Sequence, residues 1–127
     1  MLDHADARLD PSPRLDDGGA AHVSETVRRI KEHSPDLRVE TLVGDFLGKR
    51  DDVRTLVQDG RPDVFAHNVE VVPRLQRTIR DARCSWDRSI DTLAAAKELG
   101  SAVTKSSLMV GLGEQGDEVL EAMRFLR

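Results

Sequence analysis

Three short runs, residues 38–43 (RVETLV), 63–67 (DVFAH) and 102–110 (AVTKSSLMV), alternate with stretches whose apolar residues recur at helical spacing. That alternation is the feature that most restricts the fold. Parallel strands cannot be joined by a tight turn; they need a long crossover, and a helix supplies it. Strand runs separated by helical periods therefore predict parallel β-α units and an α/β fold.

The helical stretches carry their own boundaries. Asp16 and Asp17 can cap a first helix whose Val23, Val27 and Ile30 fall at i, i+4 and i+7, and Ser34-Pro35 stops it. Asp51 begins a short helix with Val53, Leu56 and Val57 on one side, closed by Gly60. Pro73 suits the first turn of a helix, where a missing N–H is no loss. Asp87 opens a helix presenting Ile90, Leu93, Ala94 and Lys97, and Gly100 closes it. After the third run comes the turn GLGEQG, then a helix over residues 117–127 with Val119, Met123 and Leu126 aligned. Residues 1–15 hold Pro11 and Pro13 and no periodic pattern, which predicts a mobile lead-in. Residues 16–127 make up the folded segment. Three strands leave two free sheet edges, so the pattern reads as the middle of a larger sheet.

Composition narrows the class of function. Nineteen Lys and Arg against 23 Asp and Glu leave a net charge of −4, which predicts no nucleic-acid partner and no anionic membrane surface. No apolar run approaches the ~18 residues that suggest a membrane span, and the first residues lack a signal-peptide core. The single cysteine, Cys84, excludes an intrachain disulfide and an all-cysteine zinc or iron–sulfur site within the chain. The expectation is a soluble domain of a reducing compartment.

Ligands of parallel β/α folds sit at the carboxyl ends of the strands. Here those ends carry Gly44-Asp45, His67-Asn68-Val69-Glu70 and, after Lys105, Gly111-Leu112-Gly113-Glu114. Strand alternation sends Asn68 and Glu70 to one face and His67 and Val69 to the other. An amide and a carboxylate on one face suit the hydroxyls of a ribose; equally, they serve as a strand-end cap. Lys105 lies inside a strand, where an ammonium must either pair with an acid or reach out at an edge. Gly111 to Gly116 spell G-x-G-x-x-G between a strand and a helix. A dinucleotide fingerprint places that motif in the first unit and an acid ~20 positions on; here it falls in the last unit with no such acid before Arg127, so this function is not expected. Arg28, Arg29 and Lys31 read as solvated charges, His4 and His33 lack metal-spaced partners, and Cys84 beside Trp86 reads as half-buried filler. No nucleophile elbow or catalytic triad occurs.

In this order, residues 17–22 (DGGAAH), 39–48 (VETLVGDFLG), 63–70 (DVFAHNVE), 72–75 (VPRL), 80–83 (RDAR), 88–90 (RSI) and 104–114 (TKSSLMVGLGE) resemble lipoyl synthase. That family of radical S-adenosylmethionine enzymes inserts two sulfurs into protein-bound octanoyl chains. The likeness runs from about Asp16 to Arg127 and rests chiefly on H-N-x-E paired with T-K-S…G-x-G-E. The chain departs from the family at Gly44 and Ala82, where proline is usual, and at Trp86, where tyrosine or phenylalanine is usual. Ser107 stands where the wider pattern G-x-I-x-G-x-x-E often has glycine, while Met109, Gly111 and Glu114 keep the rest.

The resemblance implies the middle part of a partial TIM-type (β/α)6 barrel, with three of its strands. It implies S-adenosylmethionine and two 4Fe-4S clusters as the family's cofactors, and octanoylated lipoyl-carrier domains or a glycine-cleavage H-type protein as partners. Asn68 and Glu70 would lie beside the ribose, with Met109, Gly111 and Glu114 along the adenosyl side and Lys105 as an interior polar group. The family's C-x-x-x-C-x-x-C loop, its N-terminal cysteine trio and its C-terminal R-S-S-Y segment have no counterpart in these residues. The expectation is therefore a lipoyl synthase-like segment inactive alone. The alternatives are a non-catalytic module binding an adenosyl group or a lipoyl domain, or an unfolded truncation product. The family's compartments are the bacterial cytoplasm, the mitochondrion and the plastid.

Overall fold

The computed structural model describes residues 16–127. The expected lead-in of residues 1–15, His4 included, lies outside the described residues.

Helix α1 spans Ala20–His33. The N-cap is Gly19 rather than either expected aspartate, and Asp17 acts from two residues upstream: its carboxylate accepts from the N–H groups of Gly19 and Ala21, both at 2.9 Å. Two otherwise orphaned donors of the first turn are thereby satisfied, and the helix N-terminus faces a negative charge. These bonds hold the Asp17 carboxyl below the usual carboxylate range. The helix ends as expected at Ser34, whose N–H donates to the Ile30 carbonyl at 2.8 Å, with Pro35 following.

Strand β1 is Glu40–Leu42. A tight turn follows in which Phe46, Leu47 and Gly48 all take positive φ, at 48°, 54° and 78°. Helix α2, Arg50–Arg54, widens into a π-helical turn over Thr55–Gly60. Here α1 crosses so closely that a Cβ on Gly60 would lie 2.9 Å from the Ser24 Cα. Gly60 thus closes the helix, as expected, and also lets two backbones touch.

Strand β2, Val64–Ala66, leads to a 3-10 turn at Pro73–Leu75 and helix α3, Gln76–Ile79, with Pro73 at the first turn as expected. Helix α4, Trp86–Glu98, is capped by Ser85, whose Oγ accepts from the Arg88 N–H at 3.2 Å. Strand β3 is Thr104–Lys105 and helix α5 is Gly116–Phe125. No helix among the described residues is long and apolar enough to cross a membrane.

The three strands form one parallel sheet in the order β1-β2-β3. The register aligns Thr41, Phe65 and Thr104 on one face and Leu42, Ala66 and Lys105 on the other. Phe65 is fully buried under the helices, whereas Leu42 remains 63% exposed. Helices therefore cover one face, and the other is open. The main core gathers Phe65, Leu56, Val53, Val69, Phe46 and Ala96, and a smaller cluster of Val71, Val72, Leu75 and Ala122 seats α5.

Three expectations need correction. The third strand, expected over residues 102–110, pairs regularly only at Thr104–Lys105. Beyond it the Ser106 hydroxyl accepts the Val69 N–H at 3.1 Å, standing in for a strand carbonyl. Glu70 turns to φ 66°, and pairing resumes only as an isolated bridge to Leu108. On α4, Ala94 and Lys97 are exposed and the buried side is Ser89, Thr92, Leu93, Ala95 and Ala96. The helix is thus turned toward its small residues, which admit closer approach to the sheet. On α5, Ala122 is the buried residue and Met123 is 59% exposed.

Candidate functional site

The carboxyl ends of β2 and β3 meet through main-chain bonds. The Glu70 N–H donates to the Ser107 carbonyl at 3.2 Å, and the Met109 N–H donates to the Glu70 carbonyl at 2.7 Å. Asn68 joins them through its side chain, accepting from the Ser107 hydroxyl at 2.6 Å. Asn68, Glu70 and Met109 are thus brought side by side. Asn68 and Glu70 remain half-buried while His67 and Val69 are buried, so alternation persists past the end of β2. The Glu70 carboxylate makes no hydrogen bond among the described residues.

Gly111 and Glu114 form a second, self-contained group. The Glu114 carboxylate accepts from the N–H groups of Gly111 and Leu112, the latter at 2.9 Å. These bonds hold its carboxyl below the usual range. Gly111 and Gly113 take φ of 94° and 100°, a conformation that favours glycine, so the turn can wrap around the carboxylate. The Gly111 and Leu112 N–H groups, which a phosphate in such a turn would seek, are thus already taken by Glu114. Arg74 ties the turn down: its guanidinium donates to both Glu118 oxygens at 2.7 and 2.8 Å and to the Gly113 carbonyl at 2.9 Å.

Lys105 lies apart from both groups. Its ammonium donates to both Glu40 oxygens at 2.8 and 3.0 Å, and the pair crosses over β2 on the open face. The expected interior lysine is instead exposed and paired, with a partner two strands away. Sequence reasoning had no means of naming Glu40, because the pairing depends on register.

A buried polar chain runs beneath the strand ends. The His67 Nδ1 lies 2.8 Å from the Val43 carbonyl and Nε2 lies 2.9 Å from the Ser89 hydroxyl. Arg80 donates to Ser89 Oγ at 3.1 Å and to Gln76 Oε1 at 3.0 Å. The Gln76 amide in turn donates to the Val69 and Val71 carbonyls at 2.9 and 2.6 Å. This chain joins the ends of β1 and β2 to α3 and α4. It was missed from sequence, where His67 and Arg80 carry no spacing that links them. His67, Arg80, Asp45, Phe46 and Cys84 also line a cavity of about 500 Å³.

The arrangement sets an amide and a carboxylate past the end of β2, beside an exposed methionine and a glycine-rich turn that follow β3. A family profile described as the Radical SAM superfamily matches residues 12–126. The chain belongs to the radical SAM superfamily. Among curated relatives, the lipoyl synthase of Sorangium cellulosum is 52% identical over 126 residues, covering 87% of this chain and 34% of that protein. The mitochondrial lipoyl synthase of Ostreococcus lucimarinus is 49% identical over 113 residues, covering 89% of this chain and 28% of that protein. The lipoyl synthase of Pyrobaculum calidifontis is 52% identical over 113 residues, covering 89% and 38%. The chain spans about a third of the length of these relatives.

Radical SAM enzymes use S-adenosylmethionine with an iron–sulfur cluster. A 4Fe-4S cluster is held mainly by thiolates, and the chain has one cysteine. Among the described residues no group of three or more His, Cys, Asp or Glu side chains converges to hold a metal ion. The described residues alone offer no ligand set that fits a cluster. The Asn68 amide can donate a hydrogen bond, and the Glu70 carboxylate beside it offers acceptors.

Proposed function

We propose that residues 16–127 are the central segment of a lipoyl synthase barrel, of the partial (β/α)6 type, and that their strand ends hold the adenosyl part of S-adenosylmethionine. The observation that carries this reading is the joining of Asn68, Glu70 and Met109 at adjoining strand ends through the Met109–Glu70 and Ser107–Asn68 bonds. In this reading Asn68 and Glu70 meet the ribose hydroxyls. Met109 lies along the adenine side, and Gly111 and Glu114 shape the turn that bounds it. Lys105, neutralised by Glu40, contributes to the face beneath the ligand rather than to its charge.

S-adenosylmethionine supplies the hydrogen-abstracting adenosyl group in this superfamily, and the chain's own residues bind and orient it. Sulfur insertion into octanoyl groups, with lipoyl-carrier domains or an H-type protein as partners, belongs to the whole protein of which such a segment forms part. Relatives bear the names lipoyl synthase, mitochondrial lipoyl synthase and chloroplastic lipoyl synthase, which supports this reading. The lone cysteine favours a second reading of these 127 residues, an adenosyl-binding module without chemistry of its own.

Calorimetric titration of the purified chain with S-adenosylmethionine tests the site. Saturable binding is expected, weakened roughly tenfold by Asn68→Ala or Glu70→Ala, the scale of a lost hydrogen bond to a ligand hydroxyl. An absence of saturable binding would sink the reading. Reconstitution with iron and sulfide separates the two forms of it: deoxyadenosine production would show that the segment generates the radical itself.

A further inference from the structure

We infer that Ser107 is a positioning residue that fixes which face of the Asn68 amide meets a ligand. This rests on the adenosyl-site reading and goes beyond it, since it decides the hydrogen-bond polarity of the site. Ser107 and Asn68 lie 2.6 Å apart. That separation is ordinary for O–H···O and shorter than the usual range for N–H···O. The hydroxyl therefore donates to the amide oxygen, and the amide nitrogen faces away with both of its hydrogens. Among the described residues the Asn68 amide nitrogen makes no hydrogen bond, the side chain's bond being the one from Ser107 to its oxygen.

The neighbouring serine does a separate job. Ser106 Oγ accepts from the Val69 N–H at 3.1 Å and so holds backbone, leaving Ser107 as the side-chain partner. The Glu70 N–H to Ser107 carbonyl bond, at 3.2 Å, keeps residue 107 beside the strand end where Asn68 sits. A free asparagine presents either its oxygen or its nitrogen after a half-turn of the amide. With Ser107 in place it presents donors only, next to the acceptor oxygens of the Glu70 carboxylate. A ligand must then offer one acceptor and one donor at neighbouring atoms, as a vicinal diol does. A phosphate oxygen facing Glu70 would be rejected.

Two measurements test this on the full chain. In the ligand-free protein, ¹⁵N relaxation of the Asn68 side-chain amide should show restricted motion in the wild type and in Ser107→Thr, and free motion in Ser107→Ala. Equal mobility in all three overturns the inference. With adenosine, 2′-deoxyadenosine and 3′-deoxyadenosine as probes, removing the hydroxyl that faces Asn68 should weaken wild-type binding roughly threefold to tenfold. In Ser107→Ala that penalty should shrink, and Ser107→Thr should restore it. An unchanged penalty in Ser107→Ala overturns the inference. If adenosine does not bind the wild type, the adenosyl-site reading fails, and the amide relaxation still decides whether Ser107 orients Asn68.

Discussion

At the residue scale, His67 and Gly60 make demands that their neighbours cannot relax. The His67 imidazole is 4% exposed, with its Nδ1 against a carbonyl that only accepts, so Nδ1 carries the proton and Nε2 accepts from Ser89. Burial disfavours the charged ring and lowers its pKa, while the Arg80 guanidinium adds to the same direction. The unfolded chain, with an ordinary imidazole, takes up a proton near pH 6.5 that the folded chain resists. Stability linked to His67 is therefore complete above about pH 6.5 and declines as pH falls toward the folded pKa. Thermal melts at pH 7.5 and 5.5 should show a lower midpoint at 5.5, and His67→Asn should remove that part of the difference. Gly60→Ala should lower stability by ~1–3 kcal/mol, because the new methyl meets the Ser24 backbone. Gly44→Ala, with nothing within 4 Å of its Cβ, serves as the control in the same urea titrations.

At the element scale, the helices were legible in the sequence and the strands only in part. Capping groups, the Ser34-Pro35 stop and the first-turn Pro73 are local signals, and local signals survive folding. The length of β3 is not local: regular pairing stops where the Ser106 hydroxyl accepts the N–H of Val69, beyond the end of β2. The faces of α4 and α5 shifted for a similar reason, since small alanines admit a closer contact than the larger residues beside them. Helix α5 is held to the rest by Arg74 and Glu118 across 44 positions of chain. That pairing, with the Gln115 N–H, holds the Glu118 carboxyl near 2. Its contribution is present above about pH 4.5 and lost as pH falls toward 2. Glu118→Gln should speed amide hydrogen exchange in residues 113–118 at neutral pH while leaving α1 unchanged; equal rates would show that Arg74 holds the turn through the Gly113 carbonyl alone.

At the scale of the whole molecule, the sheet is closed on one face and open on the other. Strands β1 and β3 each pair on one side only among the described residues, and Leu42, Val110 and Phe125 are each more than 60% exposed. Free edges and exposed apolar side chains are templates for further pairing. Sedimentation velocity on the isolated chain should show association that rises with concentration, and a cooperative thermal transition at low concentration would exclude the unfolded reading. Of the candidate site, the residue types at the strand ends were readable from spacing and family likeness, but their partners were not. Glu40, Ser107 and Arg74 become neighbours of Lys105, Asn68 and Glu118 only through register and crossover. The Glu114 carboxylate is folded back onto the Gly111 and Leu112 amides. The strand-to-helix turn carries its own counter-charge, the Glu114 carboxylate on its amide hydrogens. Under the proposed adenosyl-site reading, bonds that already hold this turn would lower the ordering cost that a ligand meets at the strand ends.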